Sequence, residues 1–98
     1  MSAIQPIAVL LVDDRPENLL TLQALLDPLE GLTIDTAGSG REALRLVLRQ
    51  EYAVVLLDVQ MPEMDGFEVA RLLRGTERTK NLPIVFVTAV ATDELAEL

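Results

Sequence analysis

The sequence predicts an α/β protein in which helices cover both faces of a doubly wound parallel β-sheet. Short segments rich in branched apolar residues alternate along the 98-residue chain with segments whose leucines recur at helical spacing. Two of the apolar segments contain almost no polar residue, which is typical of strands buried on both faces. Strands that alternate with helices favour right-handed crossovers, and such crossovers produce a parallel sheet.

The first strand is predicted at Ile7–Val12 (IAVLLV), which ends in two acids, Asp13 and Asp14. A helix follows, with Pro16 near its start, where the missing N–H of proline is harmless. Its apolar face is predicted from four leucines at helical spacing: Leu19, Leu22, Leu26 and Leu29.

The second strand is predicted at Leu32–Ala37 (LTIDTA), whose alternation indicates a half-buried strand near a sheet edge. Ser39 and Glu42 then form a capping-box pattern. The helix that they begin is predicted to reach about Gln50, with an inner face made of Ala43, Leu44, Val47 and Leu48.

The third strand is predicted at residues 52–57 (YAVVLL), which are apolar on both faces and therefore suit the centre of the sheet. Asp65 and Gly66 by themselves indicate a turn, in which Gly66 allows a positive φ. The next helix is predicted over Gly66–Arg74, ended by Gly75, with an inner face of Phe67, Ala70 and Leu73.

The fourth strand is predicted at residues 83–89 (PIVFVTA), again almost wholly apolar. Thr92 can cap a last short helix, whose first turn carries the favourably placed acids Asp93 and Glu94. The whole chain, residues 1–98, is expected to form one domain.

Acidic residues follow two of the predicted strands. In the flavodoxin-like strand order, here 2-1-3-4, the first and third strands are neighbours, and ligands bind beyond their carboxyl ends. Asp13 and Asp14 end the first strand, Asp58 ends the third, and Thr88 lies at the end of the fourth. Because clustered carboxylates repel one another, this arrangement predicts a bound hard cation of the Mg2+ type.

Composition excludes several classes of site. The net charge of −8 argues against a nucleic-acid interface, which needs a basic surface. The sequence contains neither His nor Cys, so a general-base histidine and a soft-metal site are both excluded. No apolar segment approaches the length of a membrane span, and a cytoplasmic location is expected.

Each candidate residue also has a plain structural interpretation. Asp13 and Asp14 could lie in a solvated loop, and Asp14 could cap the first helix. Thr88 alone says little, since Thr is common in strands. Lys80 lies in a polar connection and is expected to be solvated. Asp58 is the least easily explained without a function, because a carboxylate at the end of a buried strand is usually paired or metal-bound.

Three segments together closely resemble the receiver domain of bacterial two-component response regulators: LLVDDRPENLLTLQALL, VVLLDVQMPEMDGFEVARLLR and LPIVFVTA. They carry paired acids after the first strand, D-x-x-M-P-x-M-D-G after the third and T-A after the fourth. The DDRPENL variant is similar to receivers of hybrid kinases and multidomain regulators. The resemblance covers the chain from Ile7 to Leu98.

The resemblance implies a role for each matching position. Asp58 would accept a phosphoryl group from the phosphohistidine of a sensor histidine kinase or phosphotransfer protein. Asp14 and Asp58 would bind Mg2+ directly, Asp13 mainly through water, and Gln60 through its backbone carbonyl. Thr88 would turn toward the phosphoryl oxygens as a switch hydroxyl. The domain would thus be a signalling module and not an enzyme.

The family also has a fifth strand and a fifth helix, and the strand carries a lysine that pairs with the phosphorylated aspartate. This sequence contains neither element, and Lys80 precedes the fourth strand. An alternative function is therefore a phosphorylation-impaired interaction domain, with self-association through an exposed fourth strand. A phosphatase with an aspartyl intermediate is disfavoured, because such enzymes often place an acid where Gln60 stands.

Overall fold

The computed structural model describes residues 6–87, which form a four-stranded sheet and three helices. The strands are β1 (Ile7–Val12), β2 (Leu32–Ala37), β3 (Val54–Asp58) and β4 (Ile84–Val87). The helices are α1 (Pro16–Leu26), α2 (Gly40–Val47) and α3 (Gly66–Arg74). The strand–helix alternation and the bounds of β1, β2 and α3 agree with the sequence analysis.

All strand pairs are parallel, and the order across the sheet is β2-β1-β3-β4. This confirms the predicted order, including the edge position of β2. The register places Val12 opposite Ala37 on one side and Leu57 on the other. Consequently β1 and β3 end level with each other, and the residues that follow Val12 and Leu57 emerge at the same edge of the sheet.

The main core lies between the sheet and the α2–α3 pair. Because β1→β2 and β2→β3 run in opposite directions across the sheet, right-handed crossovers place α1 and α2 on opposite faces. The buried cluster accordingly takes alternate residues of β1 and β3 together with α2 and α3: Leu10, Val12, Ala43, Val47, Val55, Leu57, Val69 and Leu73 are among its members. Val9 and Leu11, also buried, alternate with them and face the other side.

Helix α1 is less buried than α2 and α3. No residue of α1 is fully buried; Leu19, Leu22 and Leu26 are half-buried, and Leu20 and Leu25 are exposed. The helix ends at Leu26, so Leu29 lies beyond it, contrary to its predicted place on the helical face. Asp27 follows as C-cap and keeps a right-handed helical backbone, φ −55° and ψ −40°, although it precedes Pro28.

Two predicted core positions on α2 and α3 are wrong. Leu48 is 61% exposed and lies just beyond α2, which stops at Val47, three residues before the predicted end. Phe67 is also exposed, and Val69 fills the α3 core position in its place. The ring of Phe67 instead packs against Phe86 of β4, with 5.0 Å between the ring centroids.

The remaining strand boundaries differ by a few residues. β3 begins at Val54, two residues later than predicted, and extends through Asp58. β4 is observed at Ile84–Val87. Thr88 and Ala89, as well as the helix predicted after Thr92, lie outside the described residues.

Candidate functional site

Three carboxylates meet at the carboxyl edge of the sheet. Asp13 and Asp14 follow β1, and Asp58 is the last residue of the adjacent strand β3. One oxygen of each side chain lies within 4.8 Å of the others. The level ends of β1 and β3 bring these residues together, so the predicted convergence is confirmed.

The site combines burial with negative charge. Asp13 and Asp58 are only 4% and 7% exposed, and Asp14 is half-buried. Burial raises the pKa of Asp58, and the nearby charges of Asp13 and Asp14 raise it further, although the backbone N–H groups of Gln60 and Val59 oppose this rise. The fold therefore holds a carboxylate where its ionised form is disfavoured unless a positive charge is added.

Asp13 is held by hydrogen bonds to both of its carboxylate oxygens. The backbone N–H of Arg15 donates to Oδ1 at 2.9 Å, and the side-chain amide of Asn18 donates to Oδ2 at 3.1 Å. Arg15, not Asp14, is the N-cap of α1, and its side chain makes no capping hydrogen bond. The interpretation of Asp14 as a helix cap is therefore wrong. Asn18 was not predicted as a site residue, because its contact with Asp13 becomes evident only from its position on α1.

The segment after Asp58 is tied back to the strand. The N–H of Gln60 donates to Asp58 Oδ1 at 3.3 Å, and the N–H of Gly66 donates to the carbonyl of Val59 at 3.1 Å. Asp65 caps α3, since its Oδ1 accepts from the N–H of Glu68 at 2.9 Å. The loop thus closes tightly over the carboxyl end of β3.

The backbone of this loop differs from the turn that Asp65 and Gly66 indicate in the sequence. Within residues 6–87, Gly31 is the only glycine with positive φ, so Gly66 does not use the positive φ that glycine allows. Instead, Glu63 takes φ 68°, and the N–H of Met64 donates to the carbonyl of Pro62 at 2.7 Å. The left-handed position in the loop is thus occupied by a residue with a Cβ atom, which is unfavourable.

The predicted site residues therefore divide into three groups. Asp13, Asp14 and Asp58 lie together, and Gln60 adjoins Asp58 through its backbone. Thr88 lies outside the described residues. Lys80 lies in the connection before β4, at the opposite end of the sheet, and forms a surface ion pair with Glu77 at 2.7 Å.

The donor set suits a hard divalent cation. Carboxylate oxygens are the ligands of Mg2+ and Ca2+, and Mg2+ needs only one or two protein carboxylates with water completing its coordination. A cation among these oxygens would also stabilise the ionised form of Asp58, whose pKa is raised by burial and by the neighbouring acids. The residues present fit a magnesium ion.

Comparison with known proteins agrees with this geometry. Residues 9–97 match the family described as "Response regulator receiver domain". The chain belongs to the response regulator receiver family. Receiver domains are signalling modules of two-component systems; they bind Mg2+ at an acidic pocket and interact with histidine kinases or phosphotransfer proteins.

Two relatives show where such receivers occur. The chain is 42% identical over 87 residues to the sensor protein EvgS of Escherichia coli K12, covering 89% of this chain and 7% of that protein. It is 36% identical over 85 residues to the response regulator Rre1 of a Synechocystis strain, covering 87% of this chain and 37% of that protein. The receiver thus corresponds to a small part of each relative.

A solved receiver has the same fold. The response regulator protein TrrA of Thermotoga maritima, crystallised in complex with Mg2+–BeF, is 38% identical and superposes with a TM-score of 0.77. The match covers 85% of this chain and 70% of that one.

Among residues 6–87 of the present receiver, none of the helices has the length and apolar character needed to cross a membrane.

Proposed function

We propose that this receiver is the phosphoacceptor module of a two-component phosphorelay, with Asp58 as the acceptor. The observation that carries the proposal is the position of Asp58, at the end of a buried central strand and beside two further acids. A rigid strand holds the nucleophile in one orientation, while the open carboxyl edge of the sheet admits a phosphoryl donor.

In the proposed transfer, an Asp58 Oδ attacks the phosphorus of a phosphohistidine. A P–O bond to Asp58 forms, the P–N bond of the donor breaks, and the released imidazole nitrogen keeps the electron pair and takes a proton from water. The product is an aspartyl phosphate, a known type of covalent intermediate. Since Asp58 is buried among acids, the reaction depends on compensation of negative charge.

Mg2+ is the proposed cofactor. Asp14 and Asp58 would bind it directly, Asp13 through water, and Gln60 through its backbone carbonyl. When bound, the ion would supply the positive charge that neutralises the transferring phosphoryl group. The Mg2+–BeF complex of TrrA supports this assignment for the present chain.

The proposed partner is a sensor histidine kinase or a phosphotransfer protein in the cytoplasm. Similarity to a part of EvgS, a sensor protein, and to a part of Rre1, a response regulator, supports this class of partner. Thr88 would report phosphorylation as the switch hydroxyl. We propose that the domain transmits a signal and does not turn over a substrate.

Phosphoryl uptake from acetyl phosphate in the presence of Mg2+, followed by intact-protein mass spectrometry, tests the proposal. Wild type is expected to gain one phosphoryl group, and Asp58→Asn is expected to gain none. Asp65→Asn is the matched control, because Asp65 lies in the same loop and its Oδ1 accepts a helix-capping bond that Asn can also accept. Uptake by Asp58→Asn, or no uptake by wild type, would contradict the assignment.

A second candidate function is self-association through β4, in a receiver whose phosphorylation is impaired. Within residues 6–87, β4 forms one edge of the sheet, and Val85 and Phe86 on it are exposed. Such an edge can pair with the same edge of a second copy. Light scattering at micromolar concentration distinguishes the two states: a monomer contradicts this candidate, whereas a dimer abolished by Val85→Lys supports it.

A further inference from the structure

We infer that Asn18 is a positioning residue for the metal site, acting through the carboxylate of Asp13. The inference rests on the proposed function, since it concerns the same cation site. Asn18 lies in the first turn of α1, outside the three acids, and its amide nitrogen donates to Asp13 Oδ2 at 3.1 Å.

The two donors to Asp13 differ in what they require of the sequence. The donor to Oδ1 is the backbone N–H of Arg15, which any residue except proline supplies. The donor to Oδ2 is a side chain, and its position depends on α1, where the N–H of Asn18 also donates to the carbonyl of Arg15 at 3.0 Å. The orientation of the Asp13 carboxylate is therefore specified by the identity of residue 18.

Asp13 needs such a constraint. It is 4% exposed, so solvent contributes little to holding its charge, and Asp14 and Asp58 repel it at short range. A carboxylate held by one donor could rotate away from its neighbours, whereas two donors on different oxygens oppose that rotation. Mutation of residues that orient metal-binding groups in this way commonly lowers metal affinity by about tenfold or more.

The amide is also the suitable chemical group. Asn18 stabilises the carboxylate without adding a positive charge, so it does not replace the cation as an arginine or lysine would. Asn is a mediocre helix former, so helix propensity gives no reason for it at this position. The competing explanation is that the hydrogen bond only stabilises the connection between β1 and α1.

The test is the Mg2+ dissociation constant of the 98-residue chain, measured by calorimetry for wild type, Asn18→Ala and Asn18→Gln. Asn18→Ala is expected to weaken binding about tenfold, and Asn18→Gln, which keeps the amide donor on a longer chain, is expected to restore part of the affinity. Asn81→Ala is the matched control, because Asn81 lies before β4 at the other end of the sheet. It should bind Mg2+ as wild type does.

A spectroscopic measurement on the wild-type chain avoids reliance on variants that fail to fold. The side-chain amide protons of Asn18 should shift during Mg2+ titration with the dissociation constant found by calorimetry, while those of Asn81 should not. Wild-type binding together with unchanged affinity in Asn18→Ala, or no shift of the Asn18 amide, overturns the inference alone. Absence of Mg2+ binding in wild type overturns the proposed function and this inference together.

Discussion

Gly66 lies directly against the backbone of Asp58. A Cβ atom at position 66 would collide with the carbonyl oxygen of Asp58 and would lie 2.9 Å from its carbonyl carbon. The N–H of Gly66 also donates to the carbonyl of Val59 at 3.1 Å. The first turn of α3 is thus seated on the end of β3, and the absence of a side chain at Gly66 permits it.

Gly66→Ala is therefore expected to destabilise the fold and to disturb the site. The obstructing atoms are backbone and cannot rotate away, so we expect a loss of about 3 kcal/mol in the free energy of unfolding, at the upper end for overpacking, together with weaker Mg2+ binding. Chemical denaturation and calorimetry measure the two effects. Gly75→Ala is the control: it lies at the other end of α3, with its nearest neighbour at an ordinary 3.5 Å. If Gly66→Ala and Gly75→Ala lowered stability and Mg2+ binding equally, the close contact of Gly66 with the Asp58 backbone would not be the cause.

The raised pKa of Asp58 predicts a pH-dependent stability. A carboxyl whose pKa is higher in the folded than in the unfolded state binds its proton more tightly when folded, so stability falls as pH rises from the unfolded toward the folded pKa. In metal-free buffer, Asp58→Asn should thus have a higher Tm than wild type at neutral pH. The difference should shrink as pH is lowered toward the ordinary Asp value of 3.8, because Asp58 is then protonated in the folded state.

Thermal unfolding monitored by circular dichroism across this pH range checks the prediction. Saturating Mg2+ should raise the Tm of wild type more than that of Asp58→Asn, because the ion relieves the same repulsion. A Tm for Asp58→Asn at or below that of wild type at neutral pH, without metal, would show that the burial of Asp58 carries no such penalty.

Replacement of Glu63 by glycine is expected to stabilise the fold. Its φ of 68° costs a residue with a Cβ atom roughly 1–2 kcal/mol, whereas glycine takes this conformation freely. Part of the gain is offset by the greater freedom of glycine in the unfolded chain, so Glu63→Gly should stabilise by about 0.5–1 kcal/mol. Glu63→Ala removes the same carboxylate but keeps Cβ. Its stability should match wild type in denaturant titration; a gain equal to that of Glu63→Gly would assign the effect to charge.

Arg74 holds the connection between α3 and β4. Its Nη1 donates to the carbonyls of Leu82 at 2.7 Å and Lys80 at 3.1 Å. Arg74→Ala should lower the free energy of unfolding by about 1 kcal/mol and increase hydrogen exchange at the start of β4. Arg71→Ala, on the exposed face of the same helix, should change neither quantity. Comparable exchange in both variants would contradict this role for Arg74.

Sequence periodicity predicted much of this receiver. Apolar segments and acids at their ends indicated the parallel sheet, its order and the convergence of Asp13, Asp14 and Asp58. These features depend on local pattern and on general rules for parallel sheets. The misplaced core positions, Leu48 and Phe67, carry the helical spacing too, but spacing selects a helix face and does not determine how far neighbouring elements cover it.

The sequence by itself determined which chemical groups the domain offers at the strand ends: three carboxylates, no histidine, no cysteine and a loop that follows Asp58. Tertiary structure alone decided how those groups are held. Asn18 reaches Asp13 because α1 turns back over β1, and Gly66 is needed because α3 approaches β3 within contact distance. Both relations join consecutive elements, and Asn18 is only five residues from Asp13. They depend on how the connection between strand and helix turns and on how closely the helix packs, which residue type and spacing do not encode.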